Sequence, residues 1–532
     1  MQEKIVETKF CNQCWINFGI TDIDIEFLDK LSPIIAWQKF QIPIPKLCPN
    51  CRKTQRLAWR VETKLYKRKC DFSWNDIISW FKPDIPYTVY DEKIWDSDKW
   101  NPLDYWKDID FSKTIFEQFY ELLLKVPLPS KGTVGNENSD YCNSSSYLKN
   151  CYLTFSANYS EDIYYCVDIV KSSTCVDCIW VIESENCYEC SATLKWYNLE
   201  HCYDTKNCSD SKFLLSCEWC SDCYGCFGLI NSKYHIFNTP YSKEKYLEKY
   251  NEIISQTLSE QKIQFKNFYK WKYIKNILPN TWSENVYESE NIINSQNVSH
   301  CRHAYWAQNI RYCQRMQTPI INLAMDYTWF GNNAEKIYFS QQVWNNALSV
   351  YFSSSCFNEI SNIFYSMFCR NNVSNCFTSI WIRNASYCIL NKQYNKQQYE
   401  ELVPKIIEHM QKTWEWWEFF PARFCPNWYN DSISQIIKPL TKQEAIALWF
   451  NWSLYEAPFP KVEKIIPAVK LPEDIKEIPD DILNRAIECE TTKKPFRIIK
   501  PELEFYRKHN LPIPKRHPDQ RYKDRLEWYI NY

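Results

Sequence analysis

The sequence of 532 residues contains only six glycines, although ordinary usage is about 7%. Long apolar runs are also missing, and no stretch approaches the roughly 20 residues that a membrane span needs. The first residues, MQEKIVETKFCNQC, lack the apolar core of a secretory signal. These absences predict a cytoplasmic protein without a membrane span, whose 26 cysteines are metal ligands or small core residues rather than a disulfide framework.

Recognisable catalytic motifs are absent too. The glycines form neither a dinucleotide-binding nor a phosphate-loop motif, and no H-E-x-x-H or G-x-S-x-G occurs. His300, Cys301 and His303 could supply metal ligands, but such a group more often lies at the polar edge of a repeat. The sequence therefore assigns no catalytic residue and favours a non-enzymatic protein.

Tryptophan is as abundant as glycine is scarce, with 24 copies. Trp74, Trp219 and Trp428 stand in turn-like contexts that favour glycine. One hypothesis is that many of these positions are UGA codons, translated here as Trp, at which the source organism inserts Gly. The alternative is a genuinely tryptophan-rich protein.

A twelve-residue repeat runs through the centre of the chain. One column is small or aliphatic and consists of Cys151, Ile163, Cys175, Cys187, Leu199, Ser211 and Cys223. The column one residue earlier is Asn or Asp at all positions but one and consists of Asn150, Asp162, Thr174, Asn186, Asn198, Asp210 and Asp222. Units this short are typical of a β-solenoid, in which stacked rungs bury their inward residues. Because a continuous strand alternates with period two, inward positions three apart predict a corner between them. The Asn/Asp column would then satisfy backbone groups at one corner.

The segment CEWCSDCYGCFG belongs to this repeat. Free cysteine is small and usually buried, so Cys217, Cys220, Cys223 and Cys226 are interpreted as interior residues. Their C-x2-C spacing leaves an iron–sulfur or zinc cluster as the alternative.

The chain also contains a duplication, because residues 229–250 and 382–403 are near copies. Each copy ends in a polar segment that predicts a helix. A second, less regular solenoid is predicted from 285 to 392, and its repeat drifts out of phase toward the end.

Two cysteine pairs near the N-terminus, Cys11/Cys14 and Cys48/Cys51, have the spacing of a structural zinc ribbon. Four protein ligands would close the coordination shell, so one zinc ion would stabilise the fold without activating water. Residues 41–57 align with 510–526, where His517 and Gln520 replace the second pair and only Cys489 remains of the first. This C-terminal copy is predicted to be metal-free.

The fold class predicted is mainly β: two solenoid blocks flanked by a zinc ribbon and its degenerate copy, with short helical connectors. The predicted regions are a zinc ribbon with a basic extension (1–75), a connector (76–138), solenoid 1 (139–240), a helical connector (241–284), solenoid 2 (285–392), a helix with a Pro-rich linker (393–480) and a degenerate ribbon (481–532).

Charge is distributed unevenly although the net charge is −1. Both ends are basic and the first solenoid is acidic. The candidate nucleic-acid-binding residues are Arg52, Lys53, Arg56, Arg60, Lys67, Arg68, Lys69, Arg521, Lys523 and Arg525. The alternatives are a solvated charged face or an intramolecular clamp onto the acidic solenoid.

The segments LCPNCRKTQRLAWR, KLYKRKCD, EFFP and KPFRIIKPELEFYRKHNLPIP, together with the cysteine-rich repeats, resemble an uncharacterised family of zinc-ribbon proteins from reduced-genome bacteria. The resemblance covers essentially the whole chain. It implies the architecture but no activity, because none is assigned to the family.

These observations predict a cytoplasmic binding or scaffold protein that contains zinc and contacts RNA, a ribonucleoprotein or a protein partner. A protein scaffold would expose an apolar patch. The alternative is an enzyme, either a β-helix enzyme acting on polysaccharide or a hexapeptide-type acyltransferase.

Overall fold

A computed structural model describes residues 4–61, 63–270, 360–458, 462 and 464–531, together with individual strands between residues 290 and 357. The fold is mainly β, as predicted, and contains two β-solenoid blocks. A small cysteine-containing module lies near each end of the chain.

The N-terminal part consists of short hairpins and helices. Its elements are β1 (Ile5–Phe10), β2 (Asn17–Thr21), α1 (Asp22–Leu31), β3 (Ile34–Ile35), β4 (Gln38–Lys39), α2 (Pro49–Ala58), β5 (Tyr66–Lys69), β6 (Asp76–Ser79), β7 (Val89–Tyr90), α3 (Glu92–Trp95), α4 (Ile115–Leu123) and β8 (Leu128–Pro129). Thr21 caps α1 and Thr114 caps α4, each in a reciprocal capping box. The buried faces of these elements pack against the second solenoid and the helix that follows it.

The first solenoid consists of parallel strands that pair with the strand twelve residues later. Its strands are β9 (Thr133–Val134), β10 (Ser145–Ser146), β11 (Glu161–Tyr164), β12 (Val167–Val170), β13 (Ser173–Val176), β14 (Ile179–Tyr188), β15 (Ser191–Glu200), β16 (Tyr203–Lys206), β17 (Ser209–Lys212), β18 (Ser221–Tyr224), β19 (Lys233–Ile236) and β20 (Thr239–Pro240). Cys175, for example, pairs with Cys187, and Cys187 pairs with Leu199. The predicted twelve-residue rung is therefore confirmed.

Each rung has four sides of three residues. Every third residue from Ser144 to Phe237 has a positive φ, between +46° and +65°. Most of the residues that follow these corners, among those whose side chains are described, are buried in the interior. The Asn/Asp column lies at one corner because these residues tolerate the left-handed conformation better than most. Side-chain bonds also link neighbouring rungs there, from Asn138 to Asn150 at 2.9 Å and from Asn198 to Asp210 at 3.2 Å.

Inward cysteines form hydrogen bonds with backbone groups near the corners, in addition to packing in the interior. The Cys166 thiol donates to the carbonyl of Tyr164 at 3.2 Å and accepts the N–H of Cys178, one rung later, at 3.2 Å. Inward serines do the same: Ser172 donates to Val170 at 2.9 Å and accepts from Ser184 at 3.2 Å. A small side chain that both donates and accepts is thus favoured at these positions.

Two helices follow the first solenoid, α5 (Lys243–Ile254) and α6 (Leu258–Lys270). The second solenoid then contains β21 (Glu290–Ile293), β22 (Arg302–Tyr305), β23 (Ala307–Ile310), β24 (Ile321–Ala324), β25 (Ala334–Ile337), β26 (Val343–Trp344), β27 (Leu348–Tyr351), β28 (Cys356–Phe357), β29 (Ile360–Phe364), β30 (Val373–Phe377), β31 (Cys388–Ile389) and β32 (Lys392–Gln393). Helix α7 (Lys396–Lys412) ends this block.

Rung length varies in the second solenoid, which explains the drift in its repeat. Ile292 pairs with Ala304, twelve residues later, whereas Ala307 pairs with Ile321, fourteen later, and Ile360 with Val373, thirteen later. In the last of these rungs the extra residue forms a double corner, since Asn371 and Asn372 both have positive φ.

The sequence duplication corresponds to two matching solenoid ends. The side-chain amide of Asn238 accepts a hydrogen bond from the N–H of Phe227 at 2.9 Å and donates one to the carbonyl of Phe227 at 2.8 Å. Asn391 does the same with Ile380, at 2.8 and 3.0 Å. Both asparagines have φ of +61°, and in each copy a short antiparallel hairpin and a helix follow.

Nine tryptophans of the described residues have a positive φ, which L side chains rarely adopt. They are Trp15, Trp37, Trp74, Trp180, Trp219, Trp381, Trp414, Trp417 and Trp449. The side chain of Trp37 is 98% exposed, so its packing does not compensate for the strained backbone. Trp428, in contrast, has φ of −90°. The glycine hypothesis therefore gains support at Trp74 but not at Trp428, and Trp219 lies at a solenoid corner, where residues of every type have positive φ.

The remaining elements lie toward the C-terminus. They are α8 (Ile433–Ile437), α9 (Lys442–Ala447), β33 (Ile465–Pro467), β34 (Ala486–Glu488), β35 (Pro495–Phe496), α10 (Lys500–Lys508) and α11 (Pro518–Asn531), with short 3-10 helices at Pro102–Tyr105, Ala422–Phe424, Tyr429–Asp431, Ala468–Lys470, Ile475–Glu477 and Asp480–Asn484. Leu503, Phe505 and Tyr506 of α10 pack on Tyr164, Tyr165 and Tyr188 of the first solenoid.

Candidate metal centre

The four predicted zinc ligands come together at the junction of two turns. Cys11 and Cys14 lie in the turn between β1 and β2, Cys48 is the N-cap of α2, and Cys51 lies in its first turn. Pro49 fits the first helical position, where no backbone N–H is needed. The hairpin and the helix therefore each contribute one pair of thiols.

The sulfur atoms of these cysteines all lie within 4.8 Å of one another. The Sγ atoms of Cys14 and Cys48 are 3.7 Å apart, close to the edge of about 3.8 Å expected for a tetrahedron with metal–sulfur bonds of about 2.3 Å. Cys11, Cys48 and Cys51 are buried and Cys14 is partly so. The group can therefore hold a metal ion.

Backbone amides favour the ionised form of one of these thiols. Burial alone would raise the pKa of Cys11, but N–H groups of Cys14, Cys48 and Gln13 lower that pKa to about 6. Burial and the neighbouring sulfurs raise the pKa of Cys51. Because adjacent thiolates repel one another, the four cysteines ionise together only around a cation.

The turn that holds Cys11 occurs three times in the chain. In the first copy Trp15 N–H donates to Cys11 O, Cys11 N–H to Ile16 O, and Asn12 N–H to Lys46 O, at 3.0, 3.1 and 3.1 Å. The same three bonds occur around Cys70, where Trp74 N–H donates to Cys70 O, Cys70 N–H to Asn75 O, and Asp71 N–H to Val89 O. They occur again around Cys489, where Lys493 N–H donates to Cys489 O, Cys489 N–H to Lys494 O, and Glu490 N–H to Lys515 O. The degenerate C-terminal copy is therefore joined by a middle copy around Cys70, which the sequence interpretation placed in the basic extension and the connector.

Only the first copy combines four thiols. At the corresponding positions, the middle copy has Cys70, Ser73, Asp91 and Ile94, and the C-terminal copy has Cys489, Thr492, His517 and Gln520. The remaining cysteine keeps its structural contacts, since Asp91 N–H donates to the sulfur of Cys70 at 3.2 Å and Thr492 N–H to that of Cys489 at 3.4 Å. The pattern C-x-x-[C/S/T] followed by Trp or Lys is the sequence signal that could have revealed the middle copy.

Five of the ten candidate nucleic-acid-binding residues are buried. They are Arg52, Arg56, Arg60, Arg521 and Arg525. Arg52 donates to the carbonyl of Leu47 at 2.6 Å, inside the ribbon. Buried guanidinium groups do not form the exposed basic surface that phosphate contacts require.

Several of these arginines instead contact acids of the first solenoid. Arg60 lies 3.7 Å from Asp168. Arg521 and Arg525 both reach Asp177, the latter at 3.1 Å, and Arg521 also lies 3.4 Å from Glu502. These contacts match the intramolecular clamp that the sequence left as an alternative.

Of the other five basic candidates, the lysines are more accessible, whereas the side chain of Arg68 is only 6% exposed. Lys67 and Lys69 are exposed on β5, and Lys69 pairs with Asp76 at 2.8 Å. Arg68 pairs with Asp71 at 3.0 Å. Lys53 and Lys523 are half-buried, and burial lowers the pKa of Lys53 to about 8.

Cys217, Cys220, Cys223 and Cys226 occupy the four sides of one rung and point inward, each with its thiol donating to the carbonyl two residues earlier. Within the described ranges, Cys11, Cys14, Cys48 and Cys51 are the one group of at least three ligand side chains close enough to share an ion. The structure therefore favours the packing interpretation. His300 and Cys301, the other suggested metal ligands, lie outside the described residues.

Comparison with models of known protein families gave no match, and comparison with curated proteins gave none. Among the described helices, none combines the length and hydropathy needed to cross a bilayer.

Proposed function

We propose that the protein is a non-enzymatic, zinc-containing binding or scaffold protein of the cytoplasm, whose N-terminal ribbon contacts a protein partner. Zinc is the metal that four thiolates in a tetrahedral arrangement select most readily. Four protein ligands leave no position for a substrate, so the ion would be structural.

The observation that carries this proposal is the exposed apolar surface of the N-terminal ribbon, residues 4–61. Ile5, Phe10, Ile16 and Ile34 are each more than 60% exposed. Large exposed apolar side chains concentrated in one small module are typical of an interaction surface. An RNA-binding ribbon would instead expose its basic side chains, and most of the arginines predicted for that role are buried.

The solenoids suit the role of rigid supports. The interior of the first solenoid consists of packed columns of cysteine, serine and aliphatic side chains, and backbone hydrogen bonds join its successive rungs. A stacked array of this kind fixes the distance between modules attached along it.

A pull-down of the tagged full-length protein from its native host, with and without nuclease, tests the proposal. We expect a protein partner that survives nuclease, is lost with Phe10→Lys and is kept with the exposed control Lys67→Ala. Metal analysis of the same sample should give one zinc ion per chain. Nuclease-sensitive capture that depends on Lys67 would support RNA binding instead and would overturn the proposal.

A further inference from the structure

The three ribbon copies contain hairpins in the same register. The residue before each turn cysteine pairs with the residue seven positions after it: Phe10 with Asn17, Lys69 with Asp76, and Glu488 with Pro495. The strands of the three copies therefore correspond one to one, and the copies differ in what lies beside the first strand of the hairpin.

In the C-terminal copy the outer edge of the first strand is occupied. Strand β33 adds to β34 in parallel, with Ile465 opposite Ala486 and Ile466 opposite Ile487. The N–H of Ala486 donates to the carbonyl of Lys464 at 3.1 Å. An extended apolar segment thus completes this hairpin to three strands.

In the middle copy β5 pairs only with β6 among the described residues. Its sequence is YKRK, and Lys67 and Lys69 are exposed. Charged side chains, lysine above all, are the usual protection of an open strand edge against pairing with another chain.

In the N-terminal copy the described part of the chain likewise pairs β1 with β2 alone. Here the edge strand carries exposed apolar side chains, since Ile5 is 62% exposed and Phe10 65%. The residue equivalent to Ala486 is Thr8, so its N–H is the donor that points away from β2. An open edge flanked by apolar side chains is suited to strand addition.

We propose that the open edge of β1 binds an extended apolar segment of a partner protein, which adds as a parallel strand in the register that β33 takes on β34. This inference rests on the proposed function and specifies the class of partner. In that register the added residues lie opposite Thr8, Lys9 and Phe10, as Ile465, Ile466 and Pro467 lie opposite Ala486, Ile487 and Glu488. Backbone hydrogen bonds from Thr8 supply affinity, and the apolar residues opposite Thr8 and Phe10 supply selectivity.

The chain itself provides the probe, a labelled peptide copying residues 464–470, KIIPAVK. We expect saturable binding to the zinc-loaded full-length protein in a fluorescence anisotropy titration. Thr8→Pro removes the N–H that faces the open edge, where proline is tolerated, and should weaken affinity about tenfold. Lys67→Pro, at the equivalent position of the middle copy, is the matched control and should leave it unchanged.

Phe10→Lys, which copies Lys69, is a second variant that also should weaken binding. Zinc content reports whether each variant still folds. Absence of peptide binding to the wild-type protein, or equal binding to the Thr8→Pro variant with zinc retained, would overturn the inference. A partner that still depends on Phe10 in the pull-down would then leave the proposed function standing without this binding mode.

Discussion

The N-terminal and C-terminal ribbons share one set of backbone hydrogen bonds but are stabilised differently. The first brings four cysteines together and leaves its hairpin exposed. The last retains Cys489 alone, and its helices pack on the first solenoid through Asp177, Glu502 and Arg521. A hairpin this small cannot bury enough surface to fold alone, so a bound metal ion would stabilise the first hairpin, whereas packing on the solenoid stabilises the last.

Removal of the metal should separate these two cases most clearly. With the proposed zinc bound, Cys11→Ser or chelation should unfold the β1–β2 hairpin and the turn that holds Cys48, because a structural zinc site contributes on the order of 10 kcal/mol to folding. Cys489→Ser should leave its copy folded. Limited proteolysis with mass mapping would show which segment becomes sensitive, and a Cys11→Ser protein that stays protected would contradict the comparison.

Breaking the ion pairs of Arg521 should instead destabilise the C-terminal ribbon and leave the N-terminal ribbon unchanged. Arg521→Ala leaves Glu502 buried without a cation and Asp177 with Arg525 alone, which should lower the free energy of unfolding of the C-terminal ribbon by about 3–5 kcal/mol. Denaturant titration followed by hydrogen exchange would locate the loss. The exposed control Lys67→Ala should change stability by less than about 0.5 kcal/mol, and equal effects for both would rule out a buried clamp.

A smaller loss of stability is expected when an inward cysteine of the first solenoid loses its hydrogen bonds. Cys178→Val leaves the carbonyls of Val176 and Cys187 without the thiol that now donates to them at 3.3 and 3.5 Å. The loss should be about 1–3 kcal/mol. Cys178→Ser keeps a donor and an acceptor, as the neighbouring serine column does, and should be the milder change in thermal unfolding.

The smallest expected effect is an increase in stability. Trp37→Gly relieves a positive φ of +66° and should raise stability by about 1 kcal/mol. Trp106, 51% exposed with φ of −56°, is the matched position for comparison, and its glycine variant should not be stabilised. Peptide mass spectrometry of the native protein would show directly whether glycine occupies residue 37.

The solenoid could be predicted because its columns repeat the same chemistry at a fixed interval. Cys151, Cys175 and Cys187 stand in register, and the Asn/Asp column marks one corner. The other three corners could not be read from the sequence, since residues such as Tyr165, Lys171 and Trp180 do not favour a left-handed backbone. Stacking of successive rungs imposes that conformation.

The metal site could be predicted from two C-x2-C pairs because the ligands are local to two turns. The middle ribbon copy was missed because one cysteine, Cys70, carries too little of the pattern. The burial of Arg521 could not be foreseen, since its partner Asp177 is 344 residues away in the chain.

Because the first solenoid has a corner at every third residue, only certain changes in the length of its chain keep the inward columns aligned. In the first solenoid, deletion of one amino acid without a compensating change at a corner would move the later inward side chains to outward positions, whereas deletion of twelve would remove a whole coil and leave the columns aligned. The paired asparagines 371 and 372 show how one surplus residue is absorbed, by doubling a corner. Coils of this kind can therefore lengthen or shorten by whole turns, while the spacing of the modules at either end changes in fixed steps.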